Sequence, residues 1–286
     1  METLGQSELW SFLDNQREAQ RIGNITQVRS DPGHLVSSYL ELATKIAELQ
    51  FRNREHVLMF RGQSGDYLNR NGNTTLKPSL FRSVGGGVMP PGGDVLDERF
   101  RLLTNAEREL VHRYQSAELL GGAQLARRRI LRWSIIQHYE VCPTPLLDVT
   151  HSLRIAASFA SQGESEEAFL FVLAVPNVSG AITASAEAGL QIVRLASVCP
   201  PTAVRPHVQE GYLLGEYPEM GDYDQKQLYE AYEIDFGRRL LAKFRFCPAT
   251  FWRSRGFPRV GKRALYPSRH KDPLCDLAKR VREDIG

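Results

Sequence analysis

Arg61 is the first residue whose type and setting predict chemistry in this chain of 286 residues. It follows the apolar run His56–Phe60, which predicts a short strand, and it precedes Gly62, which predicts a turn. A guanidinium is a planar fork of donors that matches a phosphate or carboxylate, and glycine allows an unusual φ and a close backbone approach to a ligand. These residues predict an anion-binding site at the end of a strand. The alternative is a structural arginine that braces the turn by donating to carbonyl groups.

A second polar group, consisting of Asp148, Thr150, His151 and Ser152, lies at the start of a predicted helix. Short hydroxyl and carboxylate side chains accept hydrogen bonds from the first amides of a helix, so Thr150 and Ser152 predict an N-cap. The same amides and the helix dipole can hold an anion, and capping does not exclude ligand binding. Asp148 can serve as a buried acceptor that fixes arginine or backbone groups.

The tripeptide Gln137-His138-Tyr139 precedes that group by about ten residues. Two interpretations of His138 stay open, because it can contact a ligand or be a satisfied residue of the core. Cys142 is close to His138 in sequence, but nothing in the sequence indicates that they form a thiol–imidazole pair.

The segment Val208–Leu214 predicts a strand with a third group of candidates. Alternation along a strand puts Gln209 and Gly211 on one face and Glu210 on the other. If one face of this strand lines a cleft, either Gln209 or Glu210 points into it, but not both unless a bulge intervenes. A carboxylate there can bond a ribose hydroxyl and stabilise positive charge at an anomeric carbon. The alternative is a glutamate that faces solvent.

Composition and charge place the chain among soluble proteins, with 42% hydrophobic and 24% charged residues. No apolar run reaches the roughly 18 residues that span a bilayer, and the N-terminus does not resemble a secretory signal. These features predict a cytoplasmic protein with no membrane partner. The four cysteines are scattered without a Cys-x-x-Cys pair, which predicts small buried thiols and no metal site.

The positive charge is concentrated near the C-terminus. Residues 237–286 hold 14 Lys or Arg and 4 Asp or Glu, a balance of +10, whereas the rest of the chain carries −7. This section either faces a polyanion or packs against the acidic body. The basic run Arg127–Arg132 has the same two interpretations, a solvated face or contact with phosphate.

The order of the predicted elements favours an α+β fold, because helices dominate early and strands cluster later. Ser83–Asp94, rich in glycine and proline, is predicted to be a mobile loop. Periodicity and capping signals predict helices over 34–53, 94–116, 123–139, 152–161 and 274–283, and strands over 56–60, 169–175, 191–198 and 208–214.

Together the motifs resemble those of the FRG domain, a bacterial and phage-associated family named after its Phe-Arg-Gly tripeptide. The matching segments are Phe60–Gln63 with Leu76–Arg82, Gln137–Thr150, the small-residue helix ending at Ala160, and Arg205–Tyr212. The resemblance implies an N-terminal helical region over 1–55, an FRG core over 56–215 and a basic helical region over 216–286. Two positions depart from the family pattern. Glu140 stands where the family usually has glycine, and Pro145 stands where it has an arginine.

The FRG family in turn resembles ADP-ribosyltransferases, which implies a split antiparallel β-sandwich with helices packed around it and NAD⁺ as the substrate. By this resemblance Arg61 anchors the cofactor phosphates, Thr150 and Ser152 set the nicotinamide ribose, and Gln209 or Glu210 is the third element. Catalytic roles are thereby expected for Arg61, Thr150 and Glu210. The expected NAD⁺-binding residues are Arg61, Gly62, Gln63, His138, Tyr139, Asp148, Thr150, Ser152 and Gln209.

The resemblance also implies a toxin or phage-defence effector that modifies an acceptor protein or nucleic acid and answers to an antitoxin or phage trigger. Two other classes of function stay open. One is a catalytically silent module that binds a nucleotide or phosphorylated ligand, and the other is an effector directed to nucleic acid by the basic C-terminal section.

Overall fold

A computed structural model describes residues 8–83, 85, 89–254 and 256–286 of the chain. The predicted loop Ser83–Asp94 lies partly outside the described residues. The strands are β1 (Leu9–Ser11), β2 (Gln20–Ile22), β3 (His34–Leu35), β4 (Val57–Gln63), β5 (Leu147–Thr150), β6 (Ala168–Val175), β7 (Ile182–Ser185), β8 (Leu190–Arg194), β9 (Gly211–Glu216) and β10 (Leu240–Phe246).

The α-helices are distributed among these strands along the chain. They are α1 (Ile25–Ser30), α2 (Tyr39–Arg52), α3 (Gly93–Ser116), α4 (Gly122–Arg127), α5 (Arg129–His138), α6 (Leu153–Ala160), α7 (Leu195–Val198), α8 (Val204–Val208), α9 (Tyr223–Gln227), α10 (Pro248–Phe251), α11 (Lys262–Leu265) and α12 (Pro273–Ile285). The mixed α+β class predicted from the sequence is confirmed. No helix of the described residues is long and apolar enough to cross a bilayer.

The chain divides into two compact units, and each is assembled from three separate segments. The first unit comprises Met1–Leu76, Val149–Val178 and Asp235–Lys262. The second unit comprises Lys77–Asp148, Ser179–Ile234 and Arg263–Gly286.

The first unit is built on a sheet in which β3, β10, β6 and β4 are neighbours in that order. The β3–β10 pair is parallel, the β10–β6 and β6–β4 pairs are antiparallel, and Thr150 of β5 pairs with Phe60 of β4. Strand β6 is rich in aliphatic and aromatic residues and is buried except at Phe169, as expected of a central strand. One face of this sheet packs against small residues of α6 in an apolar core.

The second unit combines an antiparallel meander with a helical layer. Strands β7, β8 and β9 pair in sequence order, and α3 packs against α5 and α12. Glu107 of α3 is buried, and its carboxylate accepts hydrogen bonds from Arg132 Nε (2.7 Å) and Trp133 Nε1 (2.8 Å) of α5. These bonds compensate the buried charge, which would otherwise be costly.

Several predicted boundaries are wrong. Strand β4 continues through Arg61, Gly62 and Gln63, so the turn predicted there is absent. The helix predicted over 123–139 is interrupted at Arg128, whose backbone is extended. Helix α3 begins at Gly93 with Gly92 as the N-cap residue, rather than with Asp94.

The predicted strands near the third group of candidates are also shorter than expected. Strand β8 ends at Arg194, and α7 occupies the rest of the segment predicted to be a strand. Gln209 closes helix α8, and Glu210 has a φ of 45° in the left-handed region that commonly follows a helix C-terminus. Strand β9 begins only at Gly211, so the alternation predicted for Gln209 and Glu210 does not apply.

Candidate functional site

Arg61 and Gln63 lie on the same face of β4, because side chains of a strand alternate between its two faces. They are paired across the antiparallel ladder with Phe171 and Phe169 of β6, respectively. The two phenylalanine rings are stacked, with centroids 6.2 Å apart and planes 13° from parallel. A guanidinium and a side-chain amide therefore flank an aromatic pair, and Phe169 is half-buried.

Gln63 adds an unsatisfied polar atom to this face. Its Oε1 is buried and has no hydrogen-bond partner among the described residues. A buried acceptor without a donor costs free energy, which a ligand hydroxyl or amide would recover. Arg61 is half-buried in the same row, where reduced solvent strengthens its attraction for anions. We define Arg61, Gln63, Phe169 and Phe171 as the β4–β6 face.

Gly62 points to the other face of β4, and its role is packing. A Cβ built on Gly62 would lie 2.8 Å from the carbonyl carbon of Ala156 and 2.9 Å from the backbone nitrogen of Ala160, and closer still to the carbonyl oxygen of Ala156. Its φ is not in the left-handed region. The close approach predicted at Gly62 is therefore made by the backbone of α6, and the unusual φ is absent.

Thr150 shares the face of Phe60 and Gly62, because it is paired directly with Phe60. It is buried, and its Oγ1 accepts a hydrogen bond from the Ser152 amide at 3.0 Å. Ser152 is the N-cap residue by position, but its side chain makes no capping hydrogen bond. The predicted start of this helix is confirmed. Because side chains alternate between the two faces of a strand, Arg61 and Thr150 lie on opposite faces of the neighbouring strands β4 and β5.

His138, Gln137 and Asp148 form a hydrogen-bonded group in the second unit. Gln137 Nε2 donates to Asp148 Oδ2 at 2.6 Å, and His138 Nδ1 lies 3.4 Å from Asp148 Oδ1. The Asp148 side chain is 35% exposed, so it is less buried than predicted, and two side chains hold it in a fixed orientation.

His138 is enclosed, which favours its neutral form. Burial lowers the pKa of His138, with Asp148 opposing the shift and Arg205 reinforcing it. Its Nε2 is buried without a hydrogen-bond partner among the described residues. Gly211 packs beside the ring, since a Cβ there would lie 3.3 Å from His138 Cε1. His138 is thus a core residue that orients Asp148.

Tyr139 is anchored inside the second unit. Its hydroxyl donates to the buried carboxylate of Asp272 at 3.0 Å, and burial together with the Asp272 charge raises the Tyr139 pKa. The Arg205 guanidinium lies over the rings of Tyr139 and Tyr266, at 5.6 and 4.8 Å from their centroids. It also bonds Glu140 at 2.7 Å. This cluster holds the C-terminal end of α5 to the segment around Asp272.

The backbone conformation of Glu140 bears on the first departure from the family pattern, a glutamate in place of glycine. Its φ is 57°, a left-handed conformation that glycine adopts without strain, and it directly follows the last residues of α5. The position therefore favours glycine sterically, and this chain places there a glutamate that pairs with Arg205.

Gln209 and Glu210 have different environments within the second unit. Gln209 is buried, and its Nε2 donates to the carbonyl of Leu265 at 2.8 Å. Glu210 is exposed on the turn before β9. The carboxylate is thus the more accessible of the two candidates.

Part of the basic C-terminal section packs inside the protein, which is one of its two predicted interpretations, but the sequence did not indicate which residues are buried. Arg238, Arg239 and Lys243 are buried in the first unit, and Lys243 Nζ bonds Asp66 at 2.6 Å and Thr74 at 2.8 Å. Three of the fourteen basic residues of this section are therefore buried parts of the fold. Asp272 was also missed, although an aspartate before Pro273 is an N-cap signal and its side chain does accept from the Cys275 amide.

The cysteines only partly follow the prediction of buried thiols. None of the four forms a disulfide bond: Cys199 is buried, Cys142 and Cys275 are half-buried, and Cys247 is exposed. The described residues contain no group of three or more His, Cys, Asp or Glu that could hold a metal ion.

Comparison with known proteins identifies a match to one protein family. The family model of the FRG domain matches residues 56–168, a segment that includes the β4–β6 face residues Arg61 and Gln63 as well as Gln137–Tyr139. No curated protein and no solved structure matches the chain. The resemblance to this family predicted from the motifs is confirmed: residues 56–168 are an FRG domain.

Proposed function

We propose that this FRG-domain protein binds NAD⁺ and transfers its ADP-ribose group. The observation that carries the proposal is the β4–β6 face, where Arg61 and Gln63 flank stacked phenylalanine rings within one unit. A guanidinium suits the pyrophosphate, the Gln63 amide suits a ribose hydroxyl or carboxamide, and the half-buried Phe169 ring suits stacking with a base. These are the three kinds of contact that a dinucleotide needs.

The chemical step is a displacement at the anomeric carbon of the nicotinamide ribose. The bond from that carbon to the nicotinamide nitrogen breaks, and nicotinamide leaves with the electron pair. A nucleophile on the acceptor, or water, forms the new bond and loses a proton. Positive charge builds up on the ribose as the bond breaks. The resemblance to ADP-ribosyltransferases implies that a carboxylate stabilises this charge, and the candidate is Glu210, which is exposed.

Thr150 and Ser152 receive a positioning role in this proposal. Thr150 Oγ1 is already occupied by the Ser152 amide, and Thr150 lies on the face opposite to Arg61. Thr150 therefore acts by fixing the turn that presents His151 and Ser152 ahead of α6.

The cellular role that fits this chemistry is that of a cytoplasmic effector of the toxin or phage-defence type. Its acceptor would be a protein or nucleic acid, and its partner an antitoxin or a phage-derived trigger. The support is the FRG domain itself together with the proposed NAD⁺ chemistry.

The test measures nicotinamide release and the shift of the melting temperature by NAD⁺ in the full-length chain. Arg61→Ala should abolish nicotinamide release and reduce the melting shift, because a ligand that binds only the folded state raises its melting temperature. Arg70→Ala, an exposed arginine of the same unit, is the matched control and should change neither. Glu210→Gln should keep the melting shift and lose nicotinamide release.

A second candidate is a non-catalytic nucleotide-binding module, favoured because the β4–β6 face lies wholly within the first unit. It predicts an NAD⁺-dependent melting shift that needs Arg61, with no nicotinamide release from the wild type. Absence of both release and shift in the wild type would refute both candidates. Salt-sensitive retention on nucleic acid that weakens on removal of the Arg259, Lys262 and Arg263 charges would instead support the effector directed to nucleic acid.

A further inference from the structure

The second unit contains an open groove of about 470 Å³, separate from the residues assigned above. Its volume lies in the range of small-molecule sites. One wall carries Arg127, Arg128 and Arg129, and the apolar floor includes Ile130 and Ile182. The groove therefore combines clustered positive charge with an apolar surface in a space of ligand size.

The cationic wall results from the break between two helices. Helix α4 ends at Arg127 and α5 begins at Arg129, so the extended Arg128 sets three consecutive exposed arginines at the groove. Arg129 is partly neutralised by Glu107, whose Oε1 is 3.6 Å from its Nε. Arg127 uses its Nε–H for the Ala123 carbonyl. Arg127 and Arg128 consequently supply most of the attraction for an anion.

This charge is unfavourable for the protein alone. The N-terminus of a helix carries partial positive charge and favours acidic residues, but the first turn of α5 has none and begins among arginines. A bound polyanion would offset the repulsion and would accept from several guanidinium donors at once. The arginines thus indicate a ligand with more than one negative charge.

The rest of the groove suits an uncharged ring system with polar edges. The Tyr217 ring is 42% exposed and can stack with a base, while Ile130 and Ile182 provide apolar contact. Glu219 and Gln191 supply polar groups beside this floor. Gln191 is buried and held by its donation to the Glu216 carbonyl at 2.8 Å. Burial raises the pKa of Glu219, which reduces its repulsion of an anion and suits it to bond a ribose hydroxyl.

We propose that this groove binds a nucleoside polyphosphate, with the phosphates on Arg127 and Arg128 and the nucleoside between Tyr217 and the apolar floor. The assignment uses only residues of the second unit and does not depend on NAD⁺ binding at the β4–β6 face.

Calorimetric titration of the full-length chain with ADP tests the proposal. The titrations use an Arg61→Ala background, so that the β4–β6 face does not contribute. The double variant Arg127→Ala/Arg128→Ala should weaken ADP binding at least tenfold. Its matched control is Arg101→Ala/Arg108→Ala, which removes two exposed arginines from α3 and should leave the affinity unchanged. Equal ADP affinity in the two double variants would overturn the proposal.

Pyrophosphate is the second probe and isolates the nucleoside contribution. It should bind more weakly than ADP, and Arg127→Ala/Arg128→Ala should weaken it further. Equal affinities for ADP and pyrophosphate would overturn the assignment of a nucleoside. In an Arg61-containing chain, Arg127→Ala/Arg128→Ala should retain the NAD⁺-dependent melting shift, so failure of one proposal can be distinguished from failure of the other.

Discussion

The two units hold their parts of the FRG domain in place by different forces. In the first unit, Phe60-Arg61-Gly62 is fixed by direct packing of a strand backbone against the backbone of α6. In the second unit, Gln137-His138-Tyr139 is fixed by side-chain hydrogen bonds to Asp148 and Asp272. The stability of the first arrangement is therefore sensitive to added side-chain volume. The stability of the second is sensitive to the loss of a hydrogen-bond donor or acceptor.

The difference follows from where each segment lies. Strand β4 is internal to its sheet, with its backbone groups in the ladders, so the remaining variable is how closely α6 can approach. The segment Gln137–Tyr139 lies at the C-terminal end of α5. The last backbone carbonyls of a helix have no intrahelical donors, so the hydrogen bonds that fix this segment are made by side chains. The same domain therefore relies on steric fit at one motif and on polar satisfaction at the other.

Gly62→Ala is expected to have the largest effect, because it adds volume where the backbone of α6 leaves none. A methyl group there overlaps Ala156 and Ala160 backbone atoms, which cannot rotate away as a side chain would. We expect the free energy of unfolding to fall by about 3 kcal/mol or more. Urea denaturation of the purified variant measures this loss.

Gly65→Ala is the matched control for that substitution. A Cβ at Gly65 meets nothing within 4 Å, and its φ is outside the left-handed region. It should change the unfolding free energy by less than about 0.5 kcal/mol. Equal losses in the two variants would show that Gly62 is not needed for close packing.

Asp272→Ala should have the next largest effect and tests polar satisfaction in the second unit. The buried Asp272 carboxylate accepts from Tyr139 Oη and from the Arg205 and Cys275 amides. Its removal leaves these donors unsatisfied, at an expected cost of about 2 to 3 kcal/mol.

Tyr139→Phe removes one donor of the same group and should cost about 1 to 2 kcal/mol in unfolding free energy, measured by urea denaturation. Tyr232→Phe, a half-exposed tyrosine of the same unit, provides the control and should be nearly neutral. A neutral Tyr139→Phe would contradict the importance attributed to hydrogen bonding at this motif.

The sequence predicted the strands and helices that carry their own periodic signal. Strand β6 and helix α6 follow from runs of apolar residues with the correct spacing. The structure of the Phe-Arg-Gly segment was harder to predict, because glycine usually indicates a turn. Here Gly62 lies within a strand, and a side chain at this position would collide with a neighbouring helix. That constraint comes from α6, more than ninety residues later, and local patterns do not contain it.

The candidate site was predicted less completely than the fold. Alternation on a strand was assumed for Gln209 and Glu210, whereas α8 ends at Val208 and Glu210 adopts a left-handed turn. The pairing of Thr150 with Phe60 likewise depends on a long-range register that sequence spacing does not fix. The partners of Lys243 lie about 170 residues away, so its burial had no local signal.

The pH dependence of stability should show a smaller effect of the same sign in both units. Burial lowers the pKa of His138 in the second unit and of His34 in the first. Below the ordinary histidine pKa of about 6.5, the unfolded chain takes up protons that the folded chain does not. The stability is therefore full above that pH and declines as the pH falls below it, by at most about 1.4 kcal/mol per pH unit for each group.

Unfolding free energies between pH 5 and 7.5 measure this decline. His138→Gln and His34→Gln should each flatten the slope, and the double variant should flatten it further. His112→Gln, at an exposed position of α3, should keep the wild-type slope. A wild-type slope in His138→Gln would mean that the enclosed ring is not the source of the proton linkage in the second unit.

Glu140→Gly should have the smallest effect and should have the opposite sign. The left-handed conformation of Glu140 costs roughly 1 kcal/mol, which glycine avoids, while the ion pair with the Arg205 guanidinium is partly exposed and contributes about 0.5 kcal/mol. The glycine variant should therefore gain about 0.5 kcal/mol in urea denaturation. Glu140→Gln keeps the backbone strain and loses the ion pair, so it should lose about 0.5 kcal/mol. If both variants were destabilised equally, the left-handed conformation of Glu140 would contribute no measurable strain, and the loss of the ion pair with Arg205 would account for both results.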